Sequence, residues 1–316
     1  MSLGVLNNIS AIYAENNLNQ TQASLQNVLT QLSSGSRINS GADDAAGLSL
    51  ADSLGANSAA LTQSSANANE GVGLLQVADG ALSQVTSLLN RAVTLATEAS
   101  NGTLDGTQDA AANQEYQSIL SEIDNIGSTT TYNSSQVFGQ TTTNSVAIYT
   151  GDSTQAGASV DDLSFASLSS GSVGTTNGVI SYTAATTSAV ATISYAAGAG
   201  ENLSATALYS TAAATTAVPN ASQAAAETAL TDLNSAISDV ASERGYIGAQ
   251  INTLNAVANV ESTQQENVTS AENTVTATDY ASATSQMSKY EILSQTGISA
   301  LSQANSVQQE VLKLLQ

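Results

Sequence analysis

A chain of 316 residues with 41% hydrophobic content can hold two or three modest cores. With only 4% aromatic residues, no Trp and two Phe, those cores must be narrow seams of Ala, Leu, Val and Ile. No Cys and no His removes disulfide and zinc staples, thiol and imidazole ligands and every Cys–His or Ser–His nucleophile, and a net charge of −21, with only Arg37, Arg91, Arg244, Lys289 and Lys313 as bases, excludes the cation clusters that nucleic acid or an anionic membrane would need.

The opening Met1-Ser2-Leu3-Gly4 has neither a basic n-region nor a continuous apolar h-region, so no Sec-type signal peptide is expected. No run of about 18 apolar residues occurs, so no membrane insertion is expected either. From Leu3 to about Ser34 the spacing predicts a helix with one apolar stripe, Leu18, Leu25 and Leu32, with Val28 and Leu29 between the last two. Its other positions are mostly Asn, Gln, Ser and Thr. Such a helix is marginal alone.

Ser33-Ser34-Gly35 supplies a left-handed stop. A loop by composition follows, containing Arg37 and Asn39, and then Asp43-Asp44, placed to cap the next helix. That helix has the clearest periodicity in the chain. Leu54, Leu61, Ala68, Leu75, Leu82 and Leu89 step by seven, with Val72, Ala78, Val85 and Ala92 at alternate sites, which predicts a coiled-coil-like seam ending near Asn101-Gly102. A shorter helix with Tyr116, Ile119, Ile123 and Ile126 on one face is predicted as its antiparallel neighbour.

Beyond Gly127 the composition shifts to Thr, Ser, Gly and Val, and strands are predicted at Val146–Thr150, Val160–Phe165, Val179–Thr183 and Val190–Tyr195. Pro219, the only proline, marks the far edge of this inserted region. Helical spacing then returns through Leu230, Leu233, Ile237, Val240, Ile247, Ile251, Leu254 and Ala258, with Arg244 at one seam position where a polar residue sets register. A last helix, from about Asp279 to Gln316, carries Ile298, Leu301, Val311 and Leu315 on one stripe. The predicted fold is mainly α, a long coiled-coil-like hairpin of the two ends with a small β-rich insertion, α+β overall. The divisions are 1–42 and 279–316 as terminal helices, 43–140 and 222–278 as a helical bundle, 141–169 as a β-hairpin, and 170–221 as a variable β-rich insertion. Burying a Leu contributes about 1.5–3 kcal/mol while ordering each residue costs about 1–2 kcal/mol. Two single-seam helices hardly break even by themselves. The terminal helices are therefore expected to order when other copies cover them.

At Leu32-Ser33-Ser34-Gly35-Ser36-Arg37-Ile38-Asn39-Ser40-Gly41-Ala42-Asp43-Asp44-Ala45-Ala46-Gly47-Leu48 the chain resembles the bacterial flagellins. Leu61-Thr62-Gln63, Asn67-Ala68-Asn69-Glu70-Gly71, Glu122-Ile123-Asp124, Asp279-Tyr280-Ala281 and Val311-Leu312-Lys313-Leu314-Leu315 extend the likeness over about 1–140 and 222–316. The resemblance implies a secreted, extracellular subunit of the helical flagellar filament used for swimming. In it the terminal helices form an inner core and the longer helices an outer core. It also implies type III export, an export chaperone on the carboxy-terminal helix, and filament cap and hook–filament junction proteins as partners. Arg91, Leu95 and Glu115 match a patch that a vertebrate innate immune receptor reads in this family, but its second arginine is Val93 here and its acid is Thr94, which implies weak recognition. The family's usual proline near the carboxy end is Gln308.

No catalytic, metal or cofactor site is expected. Asp43-Asp44 reads as a cap, because adjacent helical side chains diverge, and Asp161-Asp162 as turn or strand-edge residues in solvent. Gly198-Ala199-Gly200 lacks the phosphate-loop Lys-Ser or Lys-Thr. Two alternatives to a filament subunit stand beside it: a hook–filament junction protein of the same export system, and a secreted adhesin whose activity would lie in 141–221.

Overall fold

The computed structural model describes residues 8–101, 103–139, 144–151, 160–170, 172–174, 179–183, 192–196 and 219–314. Helices α1 (Ile9–Ser34), α2 (Ala45–Ser100), α3 (Gly106–Thr129), α4 (Pro219–Thr276) and α5 (Tyr280–Leu314) dominate. The strands between α3 and α4 are β1 (Thr131–Tyr132), β2 (Ser135–Gln136), β3 (Asn144–Tyr149), β4 (Val160–Phe165), β5 (Ser167–Ser169), β6 (Ser172–Gly174), β7 (Val179–Thr183) and β8 (Thr192–Ala196). They pair as four antiparallel ribbons, β1 with β2, β3 with β4, β5 with β6 and β7 with β8. The mainly helical fold with a small β-rich middle is thus as the periodicity implies. Val190 of the last predicted strand lies outside the described residues, as does Leu3 at the start of the predicted first helix.

Local chemistry sets the boundaries. Asn8 accepts the Ala11 N–H at 3.0 Å and so caps α1, and Gly35 ends it at φ 71°, where any Cβ would be strained. Asp105 and Gln108 form a reciprocal capping box at the start of α3. Pro219 occupies the first position of α4, where its missing N–H has no helical partner to lose. The β1–β2 turn places Asn133 and Ser134 at φ 49° and 65°, the left-handed pair that suits a tight hairpin.

The chain divides into two compact units, Met1–Ser58 with Glu266–Gln316, and Ala59–Gln265. In the second unit, α2, α3 and α4 enclose a continuous core that includes Leu75, Leu82, Val85, Leu89, Tyr116, Ile123, Leu233, Val240, Ile247 and Leu254, all at most 3% exposed. A stretch of α2 is long and apolar enough to cross a membrane by length and composition, but its stripe is buried in this core. The β3–β4 ribbon lies against the helices. A methyl group at Gly71 would sit 3.0 Å from Leu254 and 3.2 Å from Ile148, so ribbon and helices approach as closely as a glycine allows. Phe165 meets Phe138 edge to face at 6.3 Å.

In the first unit, α1 packs along α5. Asn8 Nδ2 donates to the Ala304 carbonyl at 3.0 Å. A methyl group at Gly297 would lie 3.3 Å from Leu18 Cδ1, so the glycine admits the leucine.

Candidate assembly surface

The loop between α1 and α2 is a hydrogen-bonded knot. Arg37 donates its backbone N–H to the Thr276 carbonyl at 2.6 Å and its guanidinium Nη2 to the Val275 carbonyl at 2.8 Å, while Thr278 N–H returns to Gly35 O at 3.1 Å. Asp43 Oδ2 accepts from Asn39 N–H at 3.1 Å, Ser40 N–H at 2.9 Å and Ser40 Oγ at 3.0 Å. These donors, led by the Asn39 amide, hold the Asp43 carboxyl below its ordinary range. Asp44 Oδ1 accepts Gly47 N–H at 2.9 Å at the entry to α2. Asn39 Nδ2 closes the loop on Ser36 O at 2.8 Å. Buried Ile38 packs so near Gly47 that a methyl group there would meet it at 2.7 Å.

On α1 the seam residues Leu18, Leu25 and Leu32 are half-buried, and Leu301 on α5 likewise. Val28, Ile38, Ala51 and Ala283 are the buried hydrophobic residues of this unit among those described. Helical spacing puts Ile9, Ile12 and Tyr13 on the opposite side of α1 from the leucine seam. They are 61%, 50% and 67% exposed, and Ile292 on α5 is 65% exposed. Leu29, Tyr280, Leu293, Ile298 and Val307 are exposed as well. Between α1 and α5 runs a groove of about 560 Å³ lined by Leu18, Gln20, Thr21, Tyr290, Leu293 and Gly297 among others. This unit presents apolar side chains to the outside that a lone soluble chain would bury.

The remaining predicted residues fall in the second unit, or close to it. Leu61, Leu75, Leu82, Leu89, Ile247 and Leu254 are buried, while Leu54, Ile237 and Ile251 are half-buried. Arg244 sits at the rim of the seam, where its Nε meets Asp79 Oδ1 at 2.7 Å. The fully buried neighbour is Glu243, which sequence reasoning missed. Val311 lies on the last turns of α5, and Leu315 lies outside the described residues. Arg91 Nε pairs with Glu115 Oε1 at 2.7 Å on the exposed surface, and Leu95 lies buried in the core. Arg91 draws the Glu115 carboxyl below its ordinary range.

Sequence comparison matches residues 5–143 to the bacterial flagellin N-terminal helical region and 230–315 to the bacterial flagellin C-terminal helical region. A flagellin of Listeria innocua is 30% identical over 312 residues, 98% of each chain. A Listeria monocytogenes flagellin is 29% identical over the same length and coverage. Among solved structures, Bacillus cereus flagellin is 22% identical, with a TM-score of 0.40, covering 62% of this chain and 88% of that one.

Proposed function

Because the chain belongs to the bacterial flagellin family, and is a structural, non-enzymatic subunit of the extracellular flagellar filament, we propose that the faces of α1 and α5 left open in one copy are its assembly surface. The observation that carries this is the exposure of Ile9, Ile12 and Tyr13 on α1 and of Ile292 on α5, with no residue among those described covering them. Copies joined head to tail through unlike faces build open helical polymers, and self-polymerisation follows from the family.

On this reading 1–42 and 279–316 form the inner core of the filament, and 43–140 with 222–278 the outer-core bundle. The hairpin of 141–169 belongs to the outer core, and 170–221 faces outward. Leu18, Leu25, Leu32 and Leu301, with Val311 and Leu315, form the terminal seam. Gly35, Arg37, Asn39, Asp43 and Asp44 brace the connection between seams. Leu54, Leu61, Leu75, Leu82, Leu89, Ile237, Arg244, Ile247, Ile251 and Leu254 carry the bundle. The terminal helices gain order as copies cover them. The exposed stripe of α5 suits an export chaperone, and type III export machinery, the cap and the junction proteins complete the partners. Arg91 and Glu115 offer an innate immune receptor only a weak hold, since Val93 supplies no second cation.

The test is deletion of 1–44 and 279–316 from the full chain. Electron microscopy is expected to show filaments from the intact protein and none from the shortened one. Filaments of equal length from both would end this reading.

A further inference from the structure

The β3–β4 ribbon is attached to the helices at both ends through a carboxyl group on α4. At one end, Glu243 is 0% exposed, and its Oε1 accepts the backbone N–H of Ala166 at 3.0 Å, at the corner where β4 leads into β5. Its Oε2 is buried with no hydrogen-bond partner among the described residues. At the other end, Gly151 N–H donates to Ser64 Oγ of α2, and Ser64 Oγ donates to Glu261 Oε1. Glu261 is 3% exposed, and its Oε2 is also without a partner.

Among the described residues, no cation balances a negative charge at Glu243. Arg244, the adjacent cation, is turned to Asp79 of α2. On its own helix Asp239, one turn earlier, adds a second acid rather than a cation, and Tyr246, three residues on, has a hydroxyl that is itself raised by burial first and feels both Glu243 and Asp161 of β4. Asp161 is raised by burial and by Asp162. Asp124 of α3 is engaged by Ser170, at 2.5 Å from its amide and 2.8 Å from its hydroxyl. Around the corner itself Leu163, Phe165, Ala166 and Leu168 are all buried. A lone carboxylate in such a place costs far more than the neutral acid.

We propose that Glu243, seconded by Glu261, is a proton-operated latch that seats the β3–β4 ribbon on α4 in its neutral form and loosens the β4–β5 corner when it ionises. Burial pushes the Glu243 carboxyl from an ordinary 4.5 up to about 7, against the opposing effect of the Ala166 hydrogen bond. Burial likewise raises Glu261, opposed by the Ser64 hydrogen bond. A raised folded value means that the seat is firmest below the unfolded carboxyl's range and is lost as pH rises toward the folded value. Mild acid tightens the ribbon, whereas neutral to alkaline medium frees it. The stretch of α2 around the buried Leu82, Val85 and Leu89 is expected to show no such dependence.

The experiment is hydrogen exchange on the full-length chain from mild acid to mild alkali, corrected for intrinsic exchange rates. Protection of the Ala166 amide and its neighbours in β4 and β5 is expected to fall by about tenfold per pH unit between 4.5 and about 7 and then level off. Amides of Leu82–Leu89 in α2 should stay flat. In Glu243→Gln, the neutral isostere, the corner profile should flatten too, and in Glu261→Gln the smaller slope at Gly151 should vanish. A flat corner in the parent chain, an undiminished slope in Glu243→Gln, or an equal fall in α2 would each overturn the latch. Should the variant not fold, carbon-13 titration of the parent's Glu243 carboxyl decides instead. A midpoint above about 6 supports the latch and one at or below about 6 removes it.

Discussion

The two compact units treat the same kinds of side chain in opposite ways. Ala59–Gln265 closes α2, α3 and α4 over its leucines, so Leu75 and Leu89 are 0% exposed. Met1–Ser58 with Glu266–Gln316 carries leucines and isoleucines at comparable spacing but leaves Ile12 50% and Ile298 50% exposed. A third helix and a ribbon complete the Ala59–Gln265 environment, whereas the other unit sets α1 against α5 beside the first turns of α2 and the last turns of α4, with no strand ribbon among its described residues. Apolar periodicity therefore has two outcomes in one chain: where enough elements meet it builds a core, and where they do not it leaves a face open, which is the face proposed for assembly.

The sharpest way to break this contrast is a pair of truncations. Leu89→Ala should lower the stability of the second unit by about 2–5 kcal/mol, visible as a lower melting temperature. Ile292→Ala should leave the melting of the dissociated subunit within about 0.5 kcal/mol of the parent, yet raise the concentration needed for polymerisation several-fold. Equal melting losses in both would erase the distinction. Next in size is Gly35→Ala. The left-handed φ of 71° and the Tyr280 hydroxyl 2.9 Å from any added Cβ should cost about 1 kcal/mol in the first unit alone, read by exchange in α1 against α3. Smaller still, Arg244→Gln should cost less than about 1 kcal/mol, because its Asp79 pair is partly exposed and screened. A larger loss would show the pair to be a register lock.

Two solution conditions probe the same contrast more gently. The Asp43 carboxyl is held low by the Asn39 and Ser40 donors, so its support of the loop is present above the ordinary 3.8 and fades as pH falls below it. Exchange at Ser40 should therefore accelerate in acid, in the direction opposite to that expected at the Ala166 corner. Added salt should speed polymerisation followed by turbidity, since copies carrying −21 each repel over about 10 Å at 0.1 M.

The helices and their seams were legible because seven-residue spacing survives any tertiary detail: Leu61, Leu75, Leu82, Leu89 and Leu254 are all buried as their period implies. The β3–β4 ribbon was legible from its Val- and Phe-bearing runs, with β4 at its predicted bounds and β3 starting two residues and ending one residue earlier than predicted. The short β1–β2 and β5–β6 ribbons were not, since two or three residues carry no period. The buried carboxyls were also hidden. An acid in a helix full of Ser, Asn and Gln reads as surface, and nothing local shows that Glu243 points beneath a strand corner contributed from nearly eighty positions earlier. The only available hint was its place one residue before Arg244, between the seam positions Val240 and Ile247. Exposure at Ile12 and Ile292 was likewise invisible, because spacing tells which residues share a face and not whether anything covers it.

The knot at Arg37 also has a bearing on the order of events in synthesis. Its guanidinium bond to Val275 spans 238 positions and the Ser36 bond to Thr276 spans 240, while the Asn8 bond to Ala304 spans 296. None of them is available until nearly the whole polypeptide has emerged from the ribosome. The amino-terminal segment thus spends translation without its eventual mate, and its long-range bonds become available from the knot first and at Asn8 last.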